Sequence, residues 1–197
     1  MAKKIVIFLC ILTLCMTVAG CGSKIRYMQS TPEAKEFHPE RIAVLAVDTD
    51  AFPEAEGKCN KLIADVLDSK GWFKKVEPVE SVKKDWEKDE AFKKTIFDYL
   101  NKLKMVSFSD PDLSKKIAER YGVQAFIVGK VDLWNYSTEG GKTLAKVGME
   151  LRLINAETGK IVWRANHNRI DDYWLIKPDL SDMARKLIKD MIWYLPH

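Results

Sequence analysis

Histidine is scarce in this chain: three in 197 residues, at positions 38, 167 and 197. No pair of histidines or cysteines stands at zinc-ligand spacing, no glycine-rich loop is built to cradle phosphate, and no nucleophile elbow is present. These absences exclude the common metallohydrolase, nucleotide-binding and serine-hydrolase signatures, and the sequence predicts no catalytic residue, no cofactor and no metal. His38 lies in a polar N-terminal stretch and His197 is the last residue, which leaves His167, near Asp171 and Asp172, as the one candidate general base or ligand. A metal needs convergent ligands, so a strand-end histidine at the surface is the favoured reading. Asp48 and Asp50 follow the first apolar strand, where α/β folds often place functional groups. Here a solvated loop leading into a helix is favoured over a paired-carboxylate site.

What the chain does have begins at its N-terminus. Met1-Ala2-Lys3-Lys4 is basic, and Ile5 to Val18 is apolar apart from Thr13 and Thr17. That is the n-region and h-region of a signal peptide, shorter than the roughly 20 residues a transmembrane helix requires. It ends Val18-Ala19-Gly20-Cys21, which resembles the lipobox of bacterial lipoproteins. The resemblance implies cleavage before Cys21, lipidation of that cysteine, and anchoring to a membrane through its acyl chains. Two or three chains suffice for stable attachment, each buried CH₂ contributing about 0.8 kcal/mol. Gly22 is not the aspartate that retains lipoproteins at an inner membrane, so the periplasmic face of an outer membrane is expected.

Cleavage removes Cys10 and Cys15, and lipidation occupies Cys21, leaving Cys59 alone. A lone thiol makes no internal disulfide, so the fold has to stand on its apolar core. Cys59 shares a helical stripe with Leu62, Ile63, Val66 and Leu67 and reads as a small buried hydrophobe. Loss of residues 1–20 takes away Lys3 and Lys4 and no acidic residue, lowering the formal charge from +4 to +2. No basic footprint for nucleic acid remains.

The expected organisation is a signal peptide over 1–20, a lipidated cysteine and flexible tether over 21–40, and one α/β domain over 41–197. The tether is polar, contains Pro32 and Pro39, and has neither helical nor strand period; eighteen residues reach at most roughly 60 Å. Arg41 to Val47 is a continuous apolar run, as in a strand buried on both faces. A helix follows from about Gly57 to Lys70 with Gly71 as its stop, and Phe73 to Val79 is a second strand, at an edge because of Pro78. Ser81 to Leu103 is a charged helix whose apolar phase slips near Asp89. Asp110-Pro111 starts another, stopped by Gly122. Ala145, Val147, Met149, Leu151 and Leu153 alternate with polar residues, and this strand is joined to neighbours on both sides by Glu139-Gly140-Gly141-Lys142 and by Asn155 to Lys160. The three form an antiparallel meander, and an amphipathic helix from Asp179 closes the chain. The order β-α-β-α-α-β-β-β-α predicts an α/β fold, a mixed sheet with flanking helices.

Arg41-Ile-Ala-Val-Leu, Gly71-Trp-Phe, Tyr121-Gly-Val-Gln-Ala-Phe-Ile-Val-Gly129 and Leu153-Ile-Asn-Ala-Glu-Thr-Gly-Lys-Ile-Val-Trp163 together resemble the superfamily of periplasmic lipoprotein domains that includes CsgG, LpoB and the N-terminal domain of TolB. The similarity spans nearly all of residues 41 to 195. The Arg26-Tyr27 start, Phe108-Ser-Asp-Pro-Asp-Leu113 and Trp134-Asn-Tyr136 resemble an uncharacterised family of bacterial lipoproteins of this length. The resemblance implies a non-enzymatic envelope module that binds other envelope proteins or its own copies. A secretion pore needs inserted membrane-spanning hairpins, for which this chain has no spare segment. Trp134, Tyr136, Tyr173 and Trp174 fall at strand ends and in the loop before the last helix, and form the candidate interface, since Trp and Tyr are enriched at such surfaces; the competing reading, slightly favoured, packs them under the last helix with Trp163 and Trp193. Alternative readings are a regulator of peptidoglycan synthesis and, from a different class, a hydrolase or metal-dependent enzyme using Asp48, Asp50 and His167. Asn135-Tyr136-Ser137 matches a glycosylation acceptor by accident.

Overall fold

The computed structural model describes residues 26–106 and 109–197. The expected signal peptide, lipobox and lipidation site Cys21 lie outside the described residues.

The first long strand, β2 (Arg41–Asp48), is apolar because both of its faces are covered: Ile42 and Val44 point into one layer of core, Ala43 and Leu45 into the other. It leads into α1 (Lys58–Ser69), whose stripe Cys59, Leu62, Ile63, Val66 and Leu67 is buried as its spacing requires, and Gly71 follows at φ 65°, the left-handed position that ends a helix. Strand β3 (Lys75–Glu77) is short and lies at an edge of the sheet, where Pro78 is tolerated. The slip near Asp89 is a full break between α2 (Val79–Trp86) and α3 (Glu90–Val106), and the Asp89 carboxylate accepts from the Phe92 N–H at 3.0 Å. Helix α4 (Pro111–Tyr121) is capped by Asp110, which accepts from the N–H groups of Asp112 and Leu113, and is stopped by Gly122 at φ 62°.

Strands β4 (Ala125–Glu139), β5 (Lys142–Asn155) and β6 (Ile161–Tyr173) form the antiparallel meander, with the first hairpin closed by Gly140 and Gly141, both at positive φ. The final helix, α5 (Leu180–Ile192), is capped by Asp179 and ends four residues before Pro196; Leu195, placed in its buried stripe by spacing, is buried in the turn that follows.

With an N-terminal edge strand β1 (Tyr27–Ser30), the six strands form one mixed sheet in the order β1-β6-β5-β4-β2-β3, with β2 parallel to β3 and β4 and the remaining pairs antiparallel. Helices α1 and α5 cover one face, and α2, α3 and α4 cover part of the other. The second layer reaches Phe126, Val128 and Ile154 and stops there. Beyond it, the same face of the meander carries Lys130, Glu150, Arg152 and Arg164, with Glu150 paired to both arginines.

Within the stretch read as flexible tether, residues 27–35 are structured instead. Tyr27–Ser30 is an edge strand, β1, antiparallel to β6 with Tyr27 opposite Asn166 and Ser30 opposite Trp163. A 3₁₀ turn follows at Pro32–Lys35: Ala34 is buried and Glu33 accepts from Asn155 Nδ2 at 3.1 Å and pairs with Lys160 at 3.2 Å. Farther on, His38 Nδ1 lies 2.7 Å from the backbone oxygen of His197, whose ring stacks on Trp72. All four β1 side chains are exposed. The strand is held by backbone hydrogen bonds, so no apolar period announces it.

Candidate functional sites

At the carboxyl end of β2, Asp48 and Asp50 face the last turns of α3. Lys104 Nζ lies 2.5 Å from Asp50 and 3.2 Å from Asp48, and this ammonium holds the Asp50 carboxyl below its usual range, chiefly through their hydrogen bond. The two aspartates are therefore an ion-paired clasp between the β2 loop and α3. They border a cleft of about 510 Å³ with Lys130, Glu150 and Arg152 on its sheet side. The charges in the cleft are mixed.

His167 stands elsewhere. It is on β6 opposite Met149, with β5 and β4 between its strand and β2, and it is buried in place of the surface position expected. Burial lowers its pKa below the usual imidazole value, with Arg169 acting in the same direction and Asp190 opposing. The grouping of Asp48, Asp50 and His167 that the enzymatic reading requires is not formed. Among the described residues, no three His, Cys, Asp or Glu side chains gather where they would hold a metal ion. Cys59 is buried in the α1 layer, and desolvation pushes its thiol up to about 12, far from a nucleophile's range.

The four aromatic candidates separate into three roles. Trp134 is only 2 % exposed, its ring inside the layer formed by the sheet, α1 and α5, so it is core and not interface. Tyr136 and Tyr173 are half-buried with their rings 6.0 Å apart, edge to face, and the Tyr136 hydroxyl donates to the Pro178 carbonyl at 2.7 Å. Lys177 Nζ lies 3.6 Å from the centroid of the Tyr136 ring. These contacts hold both ends of the loop joining β6 to α5. Between them, Trp174, Leu175 and Ile176 are 89 %, 81 % and 85 % exposed. Leu175 and Ile176 fall outside the aromatic pattern; the signal for them is three consecutive large apolar residues between a strand and a helix cap. The loop sits at the end of the meander, beside the β4–β5 hairpin, because Tyr173 pairs with Thr143 at the last register position.

No protein family matches the chain by sequence, and no curated protein does. Its structure is similar to the PelC dodecamer from Paraburkholderia phytofirmans, with a TM-score of 0.50 at 20 % identity over 86 % of this chain and 95 % of that one. A methionine variant of the same PelC dodecamer gives 0.53 at 20 % identity, over 86 % and 96 %. Lipoprotein GNA1162 from Neisseria meningitidis gives 0.49 at 14 % identity, over 78 % and 96 %. The domain thus has the layered α/β fold seen in PelC. Among the described residues, no helix is long and apolar enough to cross a membrane.

Proposed function

We propose that this protein is a lipid-anchored module of the bacterial envelope, working by assembly with other envelope proteins or with copies of itself in transport, secretion or envelope maintenance. The observation that carries the reading is the docking of β1. Cys21 lies six residues before Tyr27, and Tyr27 is already bonded to the sheet. A lipidated Cys21 keeps the domain within about 22 Å of the membrane surface, at up to roughly 3.6 Å per residue. The eighteen-residue tether expected from the sequence would have allowed roughly 60 Å. So short a leash suits a protein that acts at the membrane on which it is made fast, and weighs against the peptidoglycan-synthesis regulator, which has to reach away from an outer membrane.

Self-assembly is supported by the PelC dodecamers of the same fold. It is supported too by apolar side chains left exposed on α3, where Phe97, Met105 and Val106 face outward. Gly22 after the lipidated cysteine favours the outer membrane. The test is affinity purification of the full-length protein from mild-detergent extracts of its native membrane, with Cys21→Ala as control. A defined set of co-eluting proteins or a ladder of self-assembled species, lost in the control, supports the reading. A solitary monomer in both refutes assembly.

A further inference from the structure

We propose that the Trp174-Leu175-Ile176 loop is a second membrane contact, seated at the headgroup and acyl boundary of the bilayer that holds Cys21. The proposal rests on the anchoring of Cys21 given above.

Three observations carry it. The first is composition and exposure: a tryptophan followed by two large aliphatic side chains, each more than four-fifths exposed, on a loop whose ends are fixed by Tyr173 pairing and by the Tyr136 hydrogen bond to Pro178. Tied at both ends, the loop presents these apolar side chains to water, and tryptophan is enriched at membrane interfaces.

The second is position. β1 runs antiparallel to β6, so its N-terminal end, Tyr27, is the one nearer the loop. Tyr173 lies seven residues beyond Asn166, the partner of Tyr27, about 23 Å at roughly 3.3 Å per residue. The six-residue leash from Tyr27 to Cys21 reaches about 22 Å. With the meander pointed at the membrane and the leash fully extended, the two lengths match, and the anchor and the loop meet nearly the same plane.

The third is charge. The carboxylates around the loop already have partners: Glu139 pairs with Lys146, Asp172 lies 4.0 Å from Lys142, Asp171 pairs with Arg169, and Asp179 caps α5. Lys142 and Lys177 stand at the same end, Lys177 over the Tyr136 ring. Acidic repulsion from headgroups is thereby offset. Because the local charges nearly balance, the contact is apolar in origin and independent of anionic lipid.

A built-in reference sits at the other end of the domain. Trp193 is also exposed, but α5 carries it away from the loop by about 20 Å, thirteen residues at roughly 1.5 Å each. The experiment uses the full-length lipidated protein in phosphatidylcholine vesicles, with and without brominated acyl chains. Emission of the wild type is compared with that of Trp174→Phe and of Trp193→Phe, so that each difference gives one tryptophan's share. Flotation with the vesicles reports the anchor separately. The expected result is flotation of all three proteins, a blue-shifted Trp174 share that loses most of its intensity to bromine at low and high salt, and an unquenched Trp193 share. Flotation with an unquenched, red-shifted Trp174 share, or equal quenching of both tryptophans, overturns the loop contact while leaving the anchor standing. Failure to float removes the anchor itself, and the inference with it.

Discussion

Replacing Trp134 by alanine should separate a core tryptophan from a surface one more sharply than any other substitution in the domain. Trp134 faces Val147 across the β4–β5 pair and is sealed by the α1 and α5 layer. Truncating an indole that is only 2 % exposed removes most of its contacts and leaves a cavity, a loss of about 3–5 kcal/mol. With a urea dependence of about 2 kcal/mol per molar for a domain of this size, the unfolding midpoint should fall by about 2 M. Trp174→Ala, at an exposed loop position, should stay within about 0.5 kcal/mol of wild type. Both are measured by urea titration followed by far-ultraviolet circular dichroism. A Trp134→Ala midpoint within about 0.5 M of wild type, or equal costs for the two variants, would refute the placement of Trp134 in the core.

Three further outcomes follow from other parts of the structure. An unfolded thiol ionises near the ordinary 9.0 and Cys59 in the fold at about 12, so the unfolded chain releases its proton first and stability should decline as pH rises through that window; Cys59→Ala should flatten the decline, and Tyr121, pushed up from 10.0 to about 12 mainly by burial, accounts for part of what remains. Lys104→Met should move the Asp50 titration midpoint up toward 3.8, read by carboxyl NMR, and an unmoved midpoint would contradict the clasp. Gly159 has φ 69°, and an added Cβ would stand 2.9 Å from the Ser109 carbonyl oxygen, whereas Gly141, at φ 76°, faces open space. Gly159→Ala should therefore cost more in thermal unfolding than Gly141→Ala, for which the left-handed backbone alone accounts for about 1–2 kcal/mol.

Local chemistry was legible wherever one residue type satisfies a backbone need. Asp110, Gly122, Gly71 and Asp179 mark helix ends that the structure places as expected, and the Gly140-Gly141 turn and the alternation of Ala145 to Leu153 define the meander. What was hidden depends on pairing and register. β1 buries none of its side chains and so leaves no period in the sequence. In β4 the register shifts between Val131 and Leu133, so that Trp134, three residues after Val131, joins it on the core face where strict alternation would have put Leu133. That bulge turned a candidate interface residue into core. For the candidate site, the sequence pointed to Tyr136, Tyr173 and Trp174, which the structure gathers at one end of the meander. It could not show that the tyrosines hold the loop and that Leu175 and Ile176 share the exposed face.

The proposed lipid anchor at Cys21, and the assembly proposed with it, are tested most directly by native mass spectrometry of the protein released from its own membrane in mild detergent. The expected result is a chain beginning at Cys21, heavier than its sequence by the mass of attached acyl chains, and present in multiples of itself or bound to a defined partner. An unmodified chain with a different N-terminus, found only as a monomer, would contradict both the anchor and the assembly built on it.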